Sequence, residues 1–214
     1  NLFVNTYGNQ TFNTRWNHII NDKLFSNLTL IYSEYNYFLN LDFVGFNWDS
    51  GIQNLNLKYD FKHYMSDDFS LSYGLNAIHY HFHPGEITPS KPTSPIQANK
   101  LDQKYAIEPA LYAMAEHSLS DNFSMNYGLR VSSFFRMGGQ PIYSYKNNAP
   151  IAFNEKLGIY EEGEVVGQTN YDRGTTVKTF FGLEPRISMS FTPNTEHAFK
   201  ASYNRMFQYI HLID

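Results

Sequence analysis

The stretch Phe123-Ser124-Met125-Asn126-Tyr127-Gly128-Leu129-Arg130-Val131-Ser132-Ser133-Phe134-Phe135-Arg136 decides the fold class. Phe123, Met125, Tyr127, Leu129, Val131 and Phe135 fall on one face, and Ser124, Asn126, Gly128, Arg130 and Ser132 on the other. A period of two belongs to an extended strand, whose successive side chains point to opposite faces. Thr175 to Thr192 repeats the pattern, with Val177, Phe181, Leu183, Pro185, Ile187, Met189 and Phe191 opposite Lys178, Gly182, Glu184, Arg186, Ser188 and Ser190. Both segments exceed the roughly 5–6 residues of an ordinary globular strand and the about 9–11 that a tilted strand needs to cross hydrocarbon.

Working outward, the same alternation marks Tyr105 to His117, Phe69 to Ala77 and Leu55 to Phe61, and more weakly Phe12 to Ile20, Leu24 to Leu39 and His197 to Phe207. The spacing predicts about eight strands. Short polar turns are expected at Asn21-Asp22-Lys23, Ser66-Asp67-Asp68, Ser120-Asp121-Asn122 and Pro193-Asn194-Thr195. Long connections are expected at 42–51, 84–103 and 137–174. Alternating short and long ends, with Phe25, Phe69, Phe123 and Phe199 soon after the short turns, are the signature of an outer-membrane β-barrel with short periplasmic turns and long outer loops. Pro109 and Pro185 lack an N–H for a ladder, so local bulges or unpaired stretches are expected there.

Composition fits that reading. The 214 residues include 17 Tyr and 18 Phe against 2 Trp, yet mean hydropathy is -0.45, as expected when only alternate side chains meet lipid. No apolar run reaches the roughly 18 residues of a spanning helix. Cysteine is absent, which excludes thiolate chemistry. A net charge of -4 without a basic run argues against nucleic acid as a partner. No nucleophile elbow or phosphate-cradling glycine loop is present, so the chain is read as a non-enzyme with no cofactor.

The phrases Leu183-Glu184-Pro185-Arg186-Ile187-Ser188, Ala201-Ser202-Tyr203-Asn204-Arg205-Met206, Gln208-Tyr209-Ile210-His211-Leu212, Asn126-Tyr127-Gly128-Leu129-Arg130 and Thr14-Arg15-Trp16-Asn17-His18 resemble TonB-dependent outer-membrane receptors of the Bacteroidetes type. The resemblance covers most strand regions and not the long loops. It implies an all-β, antiparallel transmembrane barrel segment, about eight strands of a 22-stranded barrel, with residues 1–214 a partial barrel domain whose plug and remaining strands lie outside this sequence. The implied function is binding of a scarce nutrient at the cell surface and its energy-coupled import. The implied partners are a TonB-type inner-membrane complex acting through the plug, a small-molecule, peptide or glycan ligand, membrane lipid and lipopolysaccharide, and a capping surface lipoprotein. Two alternatives stand beside it: a complete eight-stranded outer-membrane barrel with a structural or adhesive role, and a soluble β-sandwich carbohydrate-binding module.

Several residues are candidates for chemistry. Glu108, Arg130, Lys178, Glu184, Arg186 and Asn204 fall on polar strand faces and would line a lumen, where charge needs internal pairing. A structural ion-pair lattice and a substrate path both fit them. His79, His81 and His83 recur at period two beside a long loop, placing three imidazoles on one side as a metal or haem rim, or as a merely polar rim. Same-face neighbours along a strand lie about 7 Å apart, too far for all three to share one metal unaided. The run Glu161-Glu162-Gly163-Glu164 lacks calcium-loop spacing and reads as a solvated loop. Loop aromatics and amides such as Phe43, Phe46, Trp48, Tyr143, Tyr145, Asn147, Asn148 and Tyr160 suit stacking on a sugar, peptide or siderophore, and equally ordinary loop packing.

Overall fold

The computed structural model describes residues 3–210. In chain order the strands are β1 (Phe3–Asn21), β2 (Leu24–Leu41), β3 (Phe46–Tyr64), β4 (Phe69–Pro89), β5 (Asn99–Lys100), β6 (Lys104–Ser120), β7 (Phe123–Met137), β8 (Pro141–Tyr145), β9 (Ile151–Asn154), β10 (Ile159–Glu162), β11 (Val165–Asn170), β12 (Thr176–Phe191) and β13 (Phe199–Asn204). Asparagine side chains shape several of the turns between them. Asn21 Oδ1 accepts from the backbone N–H groups of Lys23 and Leu24 at 2.9 and 3.0 Å, and Asn194 Oδ1 does the same for Glu196 and His197 at 3.0 and 2.9 Å. An Asx turn of this kind reverses the chain without strain.

The main sheet is an antiparallel meander in the order β1-β2-β3-β4-β6-β7-β12-β13, with β5 added beside β4. All eight strands of the meander lie where alternation places them. The expected long connection over 42–51 is instead a tight turn, because β3 begins at Phe46 and Gly45 takes the left-handed φ of 92° that the reversal requires. The segment 137–174 is an arm of two hairpins, β8 with β11 and, nested inside, β9 with β10. Pro109 interrupts the β6–β7 pairing between Ile107 and Ala110, as its missing N–H demands. Pro185 keeps its partner Leu129 on β7 and sits just past the last β12–β13 pair, Arg186 with Asn204.

Register sorts the sheet into two unlike faces, because directly opposed residues share a face. One row reads Trp16, Leu28, Tyr59, Leu75, Leu111, Val131, Leu183 across seven strands. The next row, on the other face, reads Asn17, Asn27, Asp60, Gly74, Tyr112, Arg130, Glu184. The apolar face is bare: Leu111 is 64% exposed and Leu183 47%. What burial there is lies mostly among polar-face side chains such as Asn76, Ser132, Phe134 and Glu184. Gly74 shows how that face packs. A Cβ there would stand 2.3 Å from the Tyr59 carbonyl oxygen and 3.0 Å from Tyr112 Oη. The missing side chain lets the Tyr112 ring cross β4 and donate its hydroxyl to Asp60 on β3.

Closure is where expectation and structure part. β1 pairs only with β2 and β13 only with β12, so the described residues form three open sheets and no closed barrel. This overturns both the segment of a 22-stranded transmembrane barrel and the small eight-stranded alternative. Among the described residues the main sheet encloses no lumen, and its outer strands β1 and β13 each pair on one side only. The expectations built on a closed barrel fall with it: outer-membrane localisation as a multi-pass barrel, nutrient import, and partnership with a TonB-type complex, membrane lipid, lipopolysaccharide or a surface lipoprotein.

Candidate functional site

The polar face gathers charge that is scattered along the chain. Arg15, Lys58, Lys62, Lys104, Arg130, Arg136, Lys178, Arg186 and Lys200 share it with Asp60, Glu108, Glu116 and Glu184, nine basic against four acidic. That face therefore carries +5 in a chain whose net charge is -4. At its centre Glu184, 4% exposed, accepts from Ser132 Oγ at 2.7 Å and faces Arg130 Nε at 3.7 Å and Arg186 Nη2 at 3.5 Å. Arg186 Nε is buried without a partner. Glu108 accepts from Tyr80 Oη at 3.1 Å. Burial pushes the Glu108 carboxyl above the usual carboxylate range, against the opposing pull of the Tyr80 hydrogen bond and the Arg130 charge. Burial likewise raises the Tyr80 and Tyr112 hydroxyls, reinforced by the neighbouring carboxylates Glu108 and Asp60.

Of the six polar-face candidates, the structure thus joins Arg130 and Arg186 about the buried Glu184 carboxylate and places Glu108 beside them. Lys178 stands apart, its ammonium 5.0 Å from the Phe180 ring centroid. Asn204 ends β13 opposite Arg186, exposed. Alternation carried the last strand to Phe207, but β13 ends at Asn204 and the chain beyond it covers part of this face: Tyr209 Oη lies 2.8 Å from Ser132 Oγ, and its ring stacks on Phe134 at 5.6 Å. Gly182 leaves room for it, since a Cβ would meet Phe207 Cδ2 and Tyr209 Oη at 2.6 Å each. His211 and Leu212, part of the family-like phrase, lie outside the described residues.

The second site lies on the opposite face, at the end of the long connections. An open cleft of about 360 Å³ is bounded by Asn36, Asp49, Gly51, Gln53, His81, His83, Glu86, Lys100 and Gln103. The three histidines share this face, and the structure gives each a separate surrounding. His81 Nδ1 is 3.1 Å from Gln53 Oε1 and its Nε2 is 3.0 Å from Gln103 Oε1, while its ring stacks on Tyr105 at 4.7 Å. The Gln53 amide nitrogen donates to Glu34 Oε1 at 3.3 Å, which leaves its oxygen to accept from His81. His83 Nε2 lies 3.5 Å from Asp49 Oδ1, with Nδ1 unpartnered. His79 lies outside the cleft lining, its ring 6.3 Å from that of Tyr105. Among the described residues no group of three or more His, Asp or Glu is placed to hold a metal.

Hydrogen bonds from Gln53, Tyr32 and Asn36 hold the Glu34 carboxyl below its usual range, and the Lys100 ammonium does the same for Glu86. Arg173, from the arm, lies 5.3 Å from the other partner in the stack, Tyr105. The acidic run of the arm is spent internally: Lys146 Nζ meets Glu164 at 2.7 Å, Asn154 donates to Glu161 at 2.9 Å, and Tyr145 donates to Glu162 at 3.4 Å. Alternation alone did not bring forward Gln53, Asp49, Glu86, Lys100 and Gln103. Strand register and the two-residue β5 bring them together, and neither leaves a mark in the sequence.

Comparisons with known proteins do not sustain the resemblance to TonB-dependent receptors. No protein-family model matches the chain. No curated protein matches it. Among solved structures, the FrpB iron transporter from Neisseria meningitidis (F3-3 variant) aligns over 94% of this chain at 16% identity and a TM-score of 0.41. The alignment spans 33% of the transporter chain. Likeness that weak and partial assigns neither a family nor a fold, and the receptor assignment is overturned with the barrel it implied.

Proposed function

We propose that the chain is a non-catalytic binding module that seats a neutral glycan in the cleft between Gln53 and Gln103. The observation that carries this reading is the hydrogen-bonded series Glu34, Gln53, His81, Gln103, Tyr105, whose three middle members line an open cleft with fixed amide and imidazole groups beside the carboxylates of Asp49 and Glu86. Vicinal hydroxyls both donate and accept, and planar amides and carboxylates answer them in pairs. Orientation by neighbours removes much of the ordering cost of binding. The volume falls within the roughly 300–1,000 Å³ of small-ligand sites. Glu34, Asp49 and Glu86 outnumber Lys100 near the cleft, which favours a neutral ligand over an anionic one.

Isothermal titration of the chain with a panel of neutral oligosaccharides tests the reading. At least one is expected to bind and to be recovered chemically unchanged. Gln53→Ala, which frees both Glu34 and His81, is expected to weaken that binding by about tenfold, or about 1.4 kcal/mol. Absence of binding across the panel at millimolar concentration, or unchanged affinity in Gln53→Ala, would refute it.

A further inference from the structure

The polar face carries a second site, independent of the glycan cleft and on the opposite side of the sheet. Lys178 on β12 and Arg136 on β7 are direct cross-strand partners. Lys104 on β6 lies two residues from Ala106, the partner of Arg136 on its other side. Like charges set opposite each other in a ladder destabilise it unless something neutral or negative intervenes. Here, among the described residues, none of the three enters an ion pair, whereas Lys58, Lys62, Arg130 and Arg186 on the same face all do. The neighbours of the three leave the charge standing: the Gln140 amide, turned to accept from Arg136 Nη2 at 3.2 Å, is neutral, and the Phe180 ring lies beside Lys178. Adjacent strands are about 4.8 Å apart and same-face neighbours about 7 Å, so one point above the sheet is within the reach of long side chains from all three positions.

We infer that Lys104, Arg136 and Lys178 form a binding site for a tetrahedral oxyanion, the sulfate or phosphate group of an acidic ligand. Basic side chains on three adjacent strands offer a donor to each of three oxygens, where a carboxylate has two.

The test is thermal unfolding of the whole chain in sodium sulfate, phosphate or acetate, against chloride at equal ionic strength. Sulfate or phosphate is expected to raise the wild-type Tm along a saturating curve. Lys178→Met is expected to have a higher Tm than wild type in chloride, since it relieves repulsion, and to need at least tenfold more sulfate for half its response. Arg136→Gln should behave alike, and Lys178→Arg should keep the wild-type response. Lys200→Met removes an equal charge from the far end of the same face and should also keep it. A saturating response to acetate alone, an equal response in Lys178→Met, or a non-saturating rise common to all variants, as salting-out produces, overturns the proposal. So does a lower Tm for both neutralised variants in chloride.

Discussion

Replacing Glu184 should be among the costlier single changes on this sheet. Its carboxylate is 4% exposed and holds together Arg130, Arg186 and the Ser132 hydroxyl. In Glu184→Ala two arginines are left facing each other and Ser132 Oγ loses its charged acceptor. Removing one member of a fully buried ion pair costs about 3–5 kcal/mol. The two arginine side chains are 21% and 34% exposed, so water recovers part of that, and about 2–3 kcal/mol remains. For a chain of this size that lowers Tm by about 4–12 °C. Glu184→Gln keeps an acceptor for Ser132 and should lose about half as much. The double variant Glu184→Leu with Arg130→Leu should recover part of the loss, because the two side chains are coupled. Urea and thermal unfolding of the four proteins measure all of this. A Glu184→Ala variant within about 0.5 kcal/mol of wild type would refute the reasoning, since that is the range of surface changes.

Three further outcomes follow from the same geometry. Gly74→Ala drives a Cβ to 2.3 Å from the Tyr59 carbonyl oxygen and should cost about 1–3 kcal/mol, whereas Gly8→Ala, with nothing within 4 Å, should change stability by less than about 0.5 kcal/mol in a chemical-denaturation series. The raised pKa of Glu108 means that its contribution is fully present below the unfolded carboxylate value and is lost as pH rises through the folded one; Glu108→Gln should therefore be relatively more stable than wild type at neutral pH than at pH 3, read from unfolding curves at both. Asn21→Ala removes the acceptor for two backbone N–H groups and should lower stability by about 1 kcal/mol, with Asn21→Asp restoring most of it.

Period-two alternation located the strands because it reports something local: each side chain's face follows from its place in the pleat. The Phe123 to Arg136 and Thr175 to Thr192 segments were legible for that reason, as were the turns at Asn21 and Asn194, whose side chains act within three residues. Closure is not local. No pattern inside Phe3–Asn21 or Phe199–Asn204 states what lies on the outer side of either strand, and reading a barrel from strand length and loop asymmetry supplied a partnership that the structure lacks. The arm over 137–174 did carry signals, Asn154 with Gly158 and Asn147 with Asn148, but its strands are four to six residues long and weakly patterned. The basic character of the polar face was invisible because its nine cations come from six strands, leaving no run to notice. Alternation did put His79, His81 and His83 on one side. Their surroundings depend on register with Gln53 and on Gln103 beyond β5, and register is a tertiary property.

The most direct test of the account is a crystal structure of the chain with the neutral oligosaccharide that binds it most tightly. The account predicts the sugar in the cleft, with hydroxyls hydrogen-bonded to the Gln53 and Gln103 amides and a ring edge near the His81–Tyr105 stack. A sugar seated anywhere else, with the cleft empty, would contradict it.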